Sequence, residues 1–164
     1  MKKICMLISC LLLIQMLCAC VGKKDDFKDP VNFFFCSKEI SYNSPTGVIY
    51  PEIREGAGFH GNLAAMLRAY FYGPNRDDLK RPVPAEVYMV SCEQNGNIVT
   101  IVMCSQFSKV TGVDLSTTCS ALLMTVHDFT GADTIKISAK DAQLDDKNEI
   151  ILSLNDIILI DAVK

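Results

Sequence analysis

Residues 88–103 read YMVSCEQNGNIVTIVM and carry the clearest fold signal in the chain. Two runs with apolar residues at alternate positions flank Asn95-Gly96, a dipeptide favoured in two-residue hairpin turns. With these two residues as the turn, Val90 lies opposite Ile101 and both are predicted to be buried. The opposite face is mixed, so we expect a sheet that is covered on one side and partly wet on the other.

Two segments with helical periodicity lie on either side of this hairpin. The first runs from Phe59 to Tyr72 and is followed by Gly73-Pro74, which predicts an end with a left-handed cap. The second runs from Asp114 to Thr130, with Asp114 or Ser116 as the N-cap and Gly131 after the end. Each has one apolar stripe, and the charged segment 75–84 between prolines is expected to be an exposed loop.

The remaining apolar runs are short and of strand length. Residues 31–36 and 48–55 are expected to form a hairpin with a long loop, and Thr134–Ser138 is a short alternating strand. Ile150–Leu152 and Ile157–Ile160 are predicted to be brief terminal strands. The predicted fold class is therefore α/β in the broad sense, and more narrowly α+β. We expect one compact domain with a small, mostly antiparallel sheet and two helices packed on one face.

The N-terminus has the pattern of a secretory signal. Two lysines precede an apolar run, and the run ends in Leu17-Cys18-Ala19-Cys20, which resembles the bacterial lipobox. We expect residues 1–19 to be a signal peptide, Cys20 to carry the lipid, 20–30 to be a flexible tether, and 31–164 to be the domain. This places the domain on the extracytoplasmic face of the cell membrane. An uncleaved transmembrane anchor over residues 4–22 stays open as the alternative.

Charge and cysteine content exclude several classes of site. Removing the signal with its two lysines leaves 14 basic against 19 acidic residues, a formal charge of −5, which argues against nucleic acid as a partner. Of eight cysteines, four remain in the domain, and none has the C-x-x-C spacing of a zinc site. We therefore expect no metal and no cofactor. Whether a disulfide forms is left open among Cys36, Cys92, Cys104 and Cys119.

Candidate catalytic groups are few. The sequence has no G-x-S-x-G, H-E-x-x-H or phosphate-binding glycine loop. His127 and Asp128 are adjacent on a helix and so do not face each other. Cys119 lies in an apolar stripe, and nothing activates Ser105 or Ser116. We predict no catalytic residues.

Several local motifs occur in an order that resembles the GerMN domain of bacterial sporulation and germination proteins. They are the aromatic strand Val31 to Phe35, Pro51-Glu52-Ile53-Arg54, the helix end Leu67 to Gly73-Pro74, the Asn95-Gly96 hairpin, Ser105 with Phe107, and Ala121-Leu122 with Thr125. The resemblance implies an α/β module similar to ring-building motifs. Such modules bind other proteins, and no catalytic residue set follows from the likeness.

The function expected from these features is that of a membrane-anchored, non-catalytic interaction module in an envelope, sporulation or germination assembly. Its partner would be another envelope protein or a second copy of the chain. The predicted contact is a sheet edge formed by Ile150, Leu152, Ile158 and Ile160, with closure of the domain's own core as the alternative role for these side chains. The alternative function is a lipoprotein that binds a small solute or a glycan.

Overall fold

The computed structural model describes residues 27–39, 48–59 and 61–157. The helices of these ranges are α1 (Leu63–Tyr72) and α2 (Gly112–Thr130). The strands are β1 (Pro30–Cys36), β2 (Ile49–Glu55), β3 (Met89–Asn95), β4 (Ile98–Met103), β5 (Thr134–Ala139) and β6 (Glu149–Ser153). None of the described helices is long and apolar enough to cross a membrane. The predicted α+β class is confirmed.

The strands are divided between two sheets. β1 and β2 form the antiparallel hairpin expected from residues 31–36 and 48–55. The other four strands have the order β3-β4-β5-β6. Only the β4–β5 pair is parallel, because α2 lies in the connection between these strands and returns the chain to the same end of the sheet. The arrangement is mostly antiparallel, as predicted.

One apolar core joins both sheets and both helices. Phe35 stacks on Tyr70 of α1 with ring centroids 5.1 Å apart, and both side chains are fully buried. Ile101 of β4 and Leu122 of α2 belong to the same core. The predicted stripe of α2 is buried throughout: Leu115, Cys119, Leu122, Leu123 and Val126. Burial in this core therefore explains the alternation of apolar residues in β4 and their helical periodicity in α2.

The pairing of β3 with β4 differs from the predicted pairing. The turn consists of Gly96 and Asn97, and Ile101 lies opposite Cys92 rather than Val90. Gly96 has φ 58°, as a type II′ turn requires of its first central residue. The partner of Ile101 is shifted by two residues along β3. Because side chains alternate with a period of two, the same face of β4 stays buried. Val90, however, is 45% exposed because a β-bulge between Met89 and Ser91 interrupts the alternation of β3. The prediction that Val90 is buried is wrong.

The first helix ends at the predicted Tyr72 but begins at Leu63, about one turn later than predicted, and its C-terminal cap differs. α1 starts at Leu63, and the Asn62 side chain accepts a hydrogen bond of 3.0 Å from the Ala65 N–H. Gly73 follows its last turn with φ 110° and ψ 177°, so the left-handed cap is wrong. The positive φ still favours glycine, and a Cβ there would lie 3.2 Å from the Arg81 side chain.

The second helix starts earlier than predicted. α2 begins at Gly112 after Thr111, whose side chain makes no capping hydrogen bond. Asp114 and Ser116 lie inside the helix, so the prediction of either as the N-cap is wrong. The expected end is confirmed, because Gly131 has the left-handed conformation and its N–H donates to the His127 carbonyl.

Candidate functional site

The predicted contact strand, β6, lies at one edge of the four-stranded sheet. Within the described ranges it pairs only with β5. Ile150 and Leu152 are half-buried and pack against the core, whereas Ile151 between them is 55% exposed. Ile158 and Ile160 fall outside the described residues. As far as the described residues show, the outer edge of β6 therefore presents main-chain hydrogen-bonding groups next to one exposed apolar side chain.

The other edge of this sheet, β3, has a different character. It pairs with β4 and packs against α1. Its exposed positions include Ser91 and Glu93, and the bulge before Ser91 interrupts its regular pairing. A bulge and charged side chains both make an edge strand a poor template for another strand. By contrast, β6 has no bulge, and its one charged residue, Glu149, lies at its start.

In the small sheet, the outer edge of β1 is covered by other parts of the protein. On the side of β1 away from β2, the Phe34 N–H donates to the Thr125 hydroxyl at 2.9 Å. The Asn32 N–H donates to the Asp128 carboxylate at 2.8 Å, and the Asn32 side chain donates to the same group at 3.0 Å. Thr125 is fully buried, and Asp128 is exposed one turn later on α2. Side chains of α2 thus occupy the donors that a partner strand would use.

The far end of the same edge is closed by main chain. The Lys80 N–H donates to the Cys36 carbonyl at 2.7 Å, and the Lys38 N–H donates to the Asp78 carbonyl at 2.9 Å. Leu79 between these two positions is buried. Part of the segment predicted as an exposed loop therefore pairs with β1 and contributes to the core.

A buried ion pair fastens β2 to the end of α1. The Glu52 carboxylate, 5% exposed, accepts a 2.6 Å hydrogen bond from Arg54 Nε and bonds of 2.9 Å from the Asn75 and Arg76 N–H groups. Arg54 donates to the Gly73 carbonyl at 2.7 Å, which satisfies a group left free at the helix end. Its guanidinium lies over the Phe33 ring, 4.5 Å from the centroid. A buried carboxylate is stable only with such partners.

Glu52, Arg54 and Thr125 were named in the sequence only among the motifs of the GerMN resemblance, and Asp128 only as a neighbour of His127. None of the contacts of these residues was predicted. The spacing of Glu52 and Arg54 places them on one face of a strand, and Thr125 interrupts an apolar helix stripe. These signals could have indicated buried polar contacts. Their partners, 23 and 91 residues away in the chain, are not encoded locally.

A depression of about 450 Å³ lies between the 80–84 segment and the first turns of α2. Charged and hydroxyl side chains line it, among them Lys80, Arg81, Asp114 and Thr118. Lys80 and Asp114 form an exposed ion pair of 2.7 Å, and Arg81 donates to the Phe71 carbonyl at 3.2 Å. A neighbouring pocket of about 30 Å³ shares these residues and reaches Tyr70. Lys80, Arg81 and Asp114 are thus already partnered within the protein.

The candidate catalytic residues lie in unreactive settings. Cys119 is buried, and burial raises the pKa of its thiol to about 12, so it is not a thiolate at neutral pH. His127 Nδ1 lies 3.1 Å from the Ala132 carbonyl and 3.2 Å from the Asp133 carboxylate, both in the loop after α2. Ser116 donates to the Gly112 carbonyl of its own helix, and Ser105 is exposed. The structure brings none of these side chains together.

The cysteines and the other residue types that bind metals form no disulfide and no metal-binding cluster in the described part of the chain. Its four cysteines, Cys36, Cys92, Cys104 and Cys119, are free. No group of three or more His, Cys, Asp or Glu side chains in these ranges is placed to hold a metal ion. Cys20 lies outside the described residues.

Comparison with known proteins identifies the fold. No protein-family model and no curated protein sequence matches the chain. Among solved structures, a "putative lipoprotein" from Clostridium perfringens is similar with a TM-score of 0.50 and 14% identity, over 78% of this chain and 89% of that one. The tandem GerMN domains of the sporulation protein GerM from Bacillus subtilis give a TM-score of 0.52 and 14% identity, over 69% of this chain. The match spans 39% of the GerM chain. The chain therefore has a GerMN-like fold.

Proposed function

We propose that the mature chain is a lipid-anchored envelope protein whose non-catalytic domain binds another envelope protein through the β6 edge. The observation that carries the proposal is the contrast between β6 and β1. The edge of β1 is closed by α2 and the 78–80 segment, whereas β6 pairs on one side only within the described ranges. An edge of this kind can extend a partner's sheet through main-chain hydrogen bonds.

The side chains of β6 support a docked strand on one face. Ile151 projects to the exposed face, while Ile150 and Leu152 hold the strand against the core. A partner strand would gain main-chain hydrogen bonds from β6 and an apolar contact with Ile151. In this proposal Ile150 and Leu152 fix the position of the edge, and Ile158 and Ile160 extend the contact beyond the described residues.

The anchor restricts which proteins can reach this edge. With Cys20 as the acylated N-terminus, residues 20–27 form a tether that spans about 15 Å as a flexible chain. The tether ends three residues before the expected limit, because the Lys28 N–H donates to Glu55 and Pro30 begins β1. Its mixed charges, from Lys23 to Asp26, keep it solvated. The domain then stays close to the outer face of the membrane, which favours partners that are themselves anchored there. The likeness to a sporulation protein supports an assembly role in spore formation or germination.

The anchor is tested by mass spectrometry of the N-terminal peptide from membranes. The wild-type protein should begin at Cys20 and carry acyl chains, including palmitate, whereas Cys20→Ala should remain an unprocessed precursor. Cys18→Ala is the matched control, since it changes a neighbouring cysteine and leaves the attachment site intact. An intact Met1 or an unmodified Cys20 in the wild-type protein would contradict the anchor.

The contact is tested by chemical crosslinking in intact membranes followed by recovery of the chain. Ile151→Glu should fold, because position 151 lies opposite Lys136 on β5 and the new charge can pair with it. We expect it to lose the crosslinked partner. Glu93→Lys on the β3 edge is the control and should retain the partner. If Glu93→Lys alone lost it, the contact would lie on β3.

A second candidate function is binding of a small solute or glycan in the depression beside α2. The volume of about 450 Å³ is within the range of small-ligand sites, and its lining combines hydroxyl groups, charges and apolar surface. Chemical-shift perturbation by candidate sugars should then centre on Thr111 and Thr118. Shifts confined to β6 on addition of the membrane partner would favour the interaction module instead.

A further inference from the structure

We propose that the pocket beneath Tyr70 is a binding site for a buried water molecule, which joins α1 to α2 and to the end of β1. The inference is independent of the proposed function. It rests on a polar group without a partner, a space of suitable size, and hydroxyl groups with the right free capacity.

The first observation concerns the Tyr70 hydroxyl. Tyr70 is fully buried, and its hydroxyl is the one buried side-chain polar atom of the described residues without a hydrogen-bond partner. Buried hydroxyls in native proteins nearly always have a partner in protein or ordered water. The ring cannot turn away, since it stacks on Phe35 at an interplanar angle of 7° and meets Phe71 edge-on at 76°.

The second observation is the space next to this residue. The pocket that Tyr70 lines has a volume of about 30 Å³, which is sufficient for a water molecule and too small for a metabolite. Its other polar walls include Cys36 at the end of β1 and Thr117 and Thr118 in α2. A buried water needs two to four polar partners, and these residues are the candidates.

The third observation concerns the hydrogen bonds that the two threonine hydroxyls already donate. Thr117 donates its hydroxyl hydrogen to the Val113 carbonyl at 2.8 Å, and Thr118 donates to the Pro82 carbonyl at 2.9 Å. Each hydroxyl oxygen keeps acceptor capacity, but neither has a second hydrogen to give to Tyr70 while these bonds last. A ligand with two donors and acceptor capacity fits this set. Water can donate to a threonine oxygen and accept from the tyrosine hydroxyl at the same time.

The elements that meet at the pocket give the water its role. The β1 terminus, α1 and α2 contribute Cys36, Tyr70 and the two threonines, and Pro82 belongs to the segment that follows the closed β1 edge. Apolar contacts join these elements, as do direct hydrogen bonds of Phe34 to Thr125 and of Thr118 to Pro82. A water at their junction supplies a polar link that fixes their positions.

The experiment compares Tyr70→Phe with Tyr72→Phe in the same helix by urea unfolding. Tyr72 is 83% exposed, so its variant should keep the wild-type midpoint. If water is bound, Tyr70→Phe should lower the midpoint at unchanged m-value, because the water loses a partner. An unchanged or raised midpoint would overturn the proposal, since removal of an unsatisfied hydroxyl does not destabilise a dry site.

Direct detection completes the test. Crystallography of the wild-type domain at atomic resolution should place a water oxygen within hydrogen-bond distance of Tyr70 Oη, and Tyr70→Phe should weaken or remove that density. A dry pocket in the wild-type crystal, or a Tyr70 hydroxyl bonded directly to a protein group, would contradict the proposal even if the variant were destabilised.

Discussion

β1 and β6 are both outer strands, yet the protein treats their edges differently. The outward N–H groups of Asn32 and Phe34 in β1 are bonded by Asp128 and Thr125 of α2. β6 lacks a comparable cover among the described residues, and Ile151 is exposed beside its free edge. The two edge strands therefore differ in whether other residues bond their outer main-chain groups. An edge that no described residue covers, in a domain where another edge is covered, is a candidate for a contact.

The opposite side of the small sheet is also fastened. Glu52 and Arg54 of β2 bind the main chain between Ala69 and Arg76, at and just beyond the end of α1. The small sheet is thus held on both sides by polar groups from other elements. The four-stranded sheet depends more on apolar burial through Ile101, Ile135 and Ile137.

The largest effect is expected at Glu52. Glu52→Leu removes the carboxylate and leaves Arg54, 13% exposed, and the Asn75 and Arg76 N–H groups without their acceptor. Breaking a buried pair from one side costs about 3–5 kcal/mol, which is a large part of a domain's stability. Urea unfolding monitored by circular dichroism measures the loss.

Asp78→Ala is the matched control for that variant. Asp78 pairs with Arg76 on the surface, where the two side chains are 61% and 47% exposed. Exposed pairs are screened by solvent and contribute little to stability, so this change should leave the unfolding midpoint close to that of the wild type. Equal losses for the two variants would contradict the distinction between a buried anchor and a solvated pair.

A smaller effect is expected where the β1 edge is closed by Thr125. Thr125→Val keeps the shape of the side chain but leaves the Phe34 N–H without its acceptor. An unsatisfied buried group costs about 1–3 kcal/mol. Thermal or urea unfolding should show this loss, while Thr100→Val at an exposed position of β4 should change stability by less than about 0.5 kcal/mol.

Asp128→Ala tests the exposed half of the same edge. The carboxylate accepts two hydrogen bonds from Asn32 near solvent, so water can replace it, and we expect a loss of about 0.5–1.5 kcal/mol. Amide hydrogen exchange resolved by NMR should show faster exchange at Asn32 and unchanged exchange at Ile101. Unchanged exchange at Asn32 would mean that Asp128 does not protect this edge.

The smallest effect on folding is expected at the open edge. Ile151→Glu replaces an exposed side chain opposite Lys136 and should change the free energy of unfolding by about 0.5 kcal/mol or less. A loss as large as that of Thr125→Val would show that Ile151 is needed for folding. The isoleucines of β6 would then serve to close the domain's own core, which is the alternative role predicted for them.

The sequence was most informative where periodicity reflects burial. The alternation in Ile98–Met103 and the apolar stripe of Gly112–Thr130 follow directly from which side faces the core. Local turn chemistry was less decisive, because Asn95-Gly96 and Gly96-Asn97 are both acceptable two-residue turns. The bulge that exposes Val90 leaves no distinct signal in the residues around it.

The polar networks could not be predicted from local pattern. Segment 75–84 is rich in charge and looks like a solvated loop, yet Leu79 and Val83 are buried and Arg76 donates its N–H to Glu52. Such contacts depend on how α1, the loop and the small sheet pack together. The candidate contact strand could be located from Ile150 and Leu152, but only the structure shows that Ile151 is the exposed member.

The central claim is that β6 gains a main-chain partner in the envelope. Amide hydrogen exchange by mass spectrometry tests it directly, with residues 149–153 and 89–95 compared between intact membranes and the isolated domain. We expect slower exchange in membranes for 149–153 and unchanged exchange for 89–95, because new hydrogen bonds form on β6 alone. Unchanged exchange at 149–153, or slowing confined to 89–95, would contradict it.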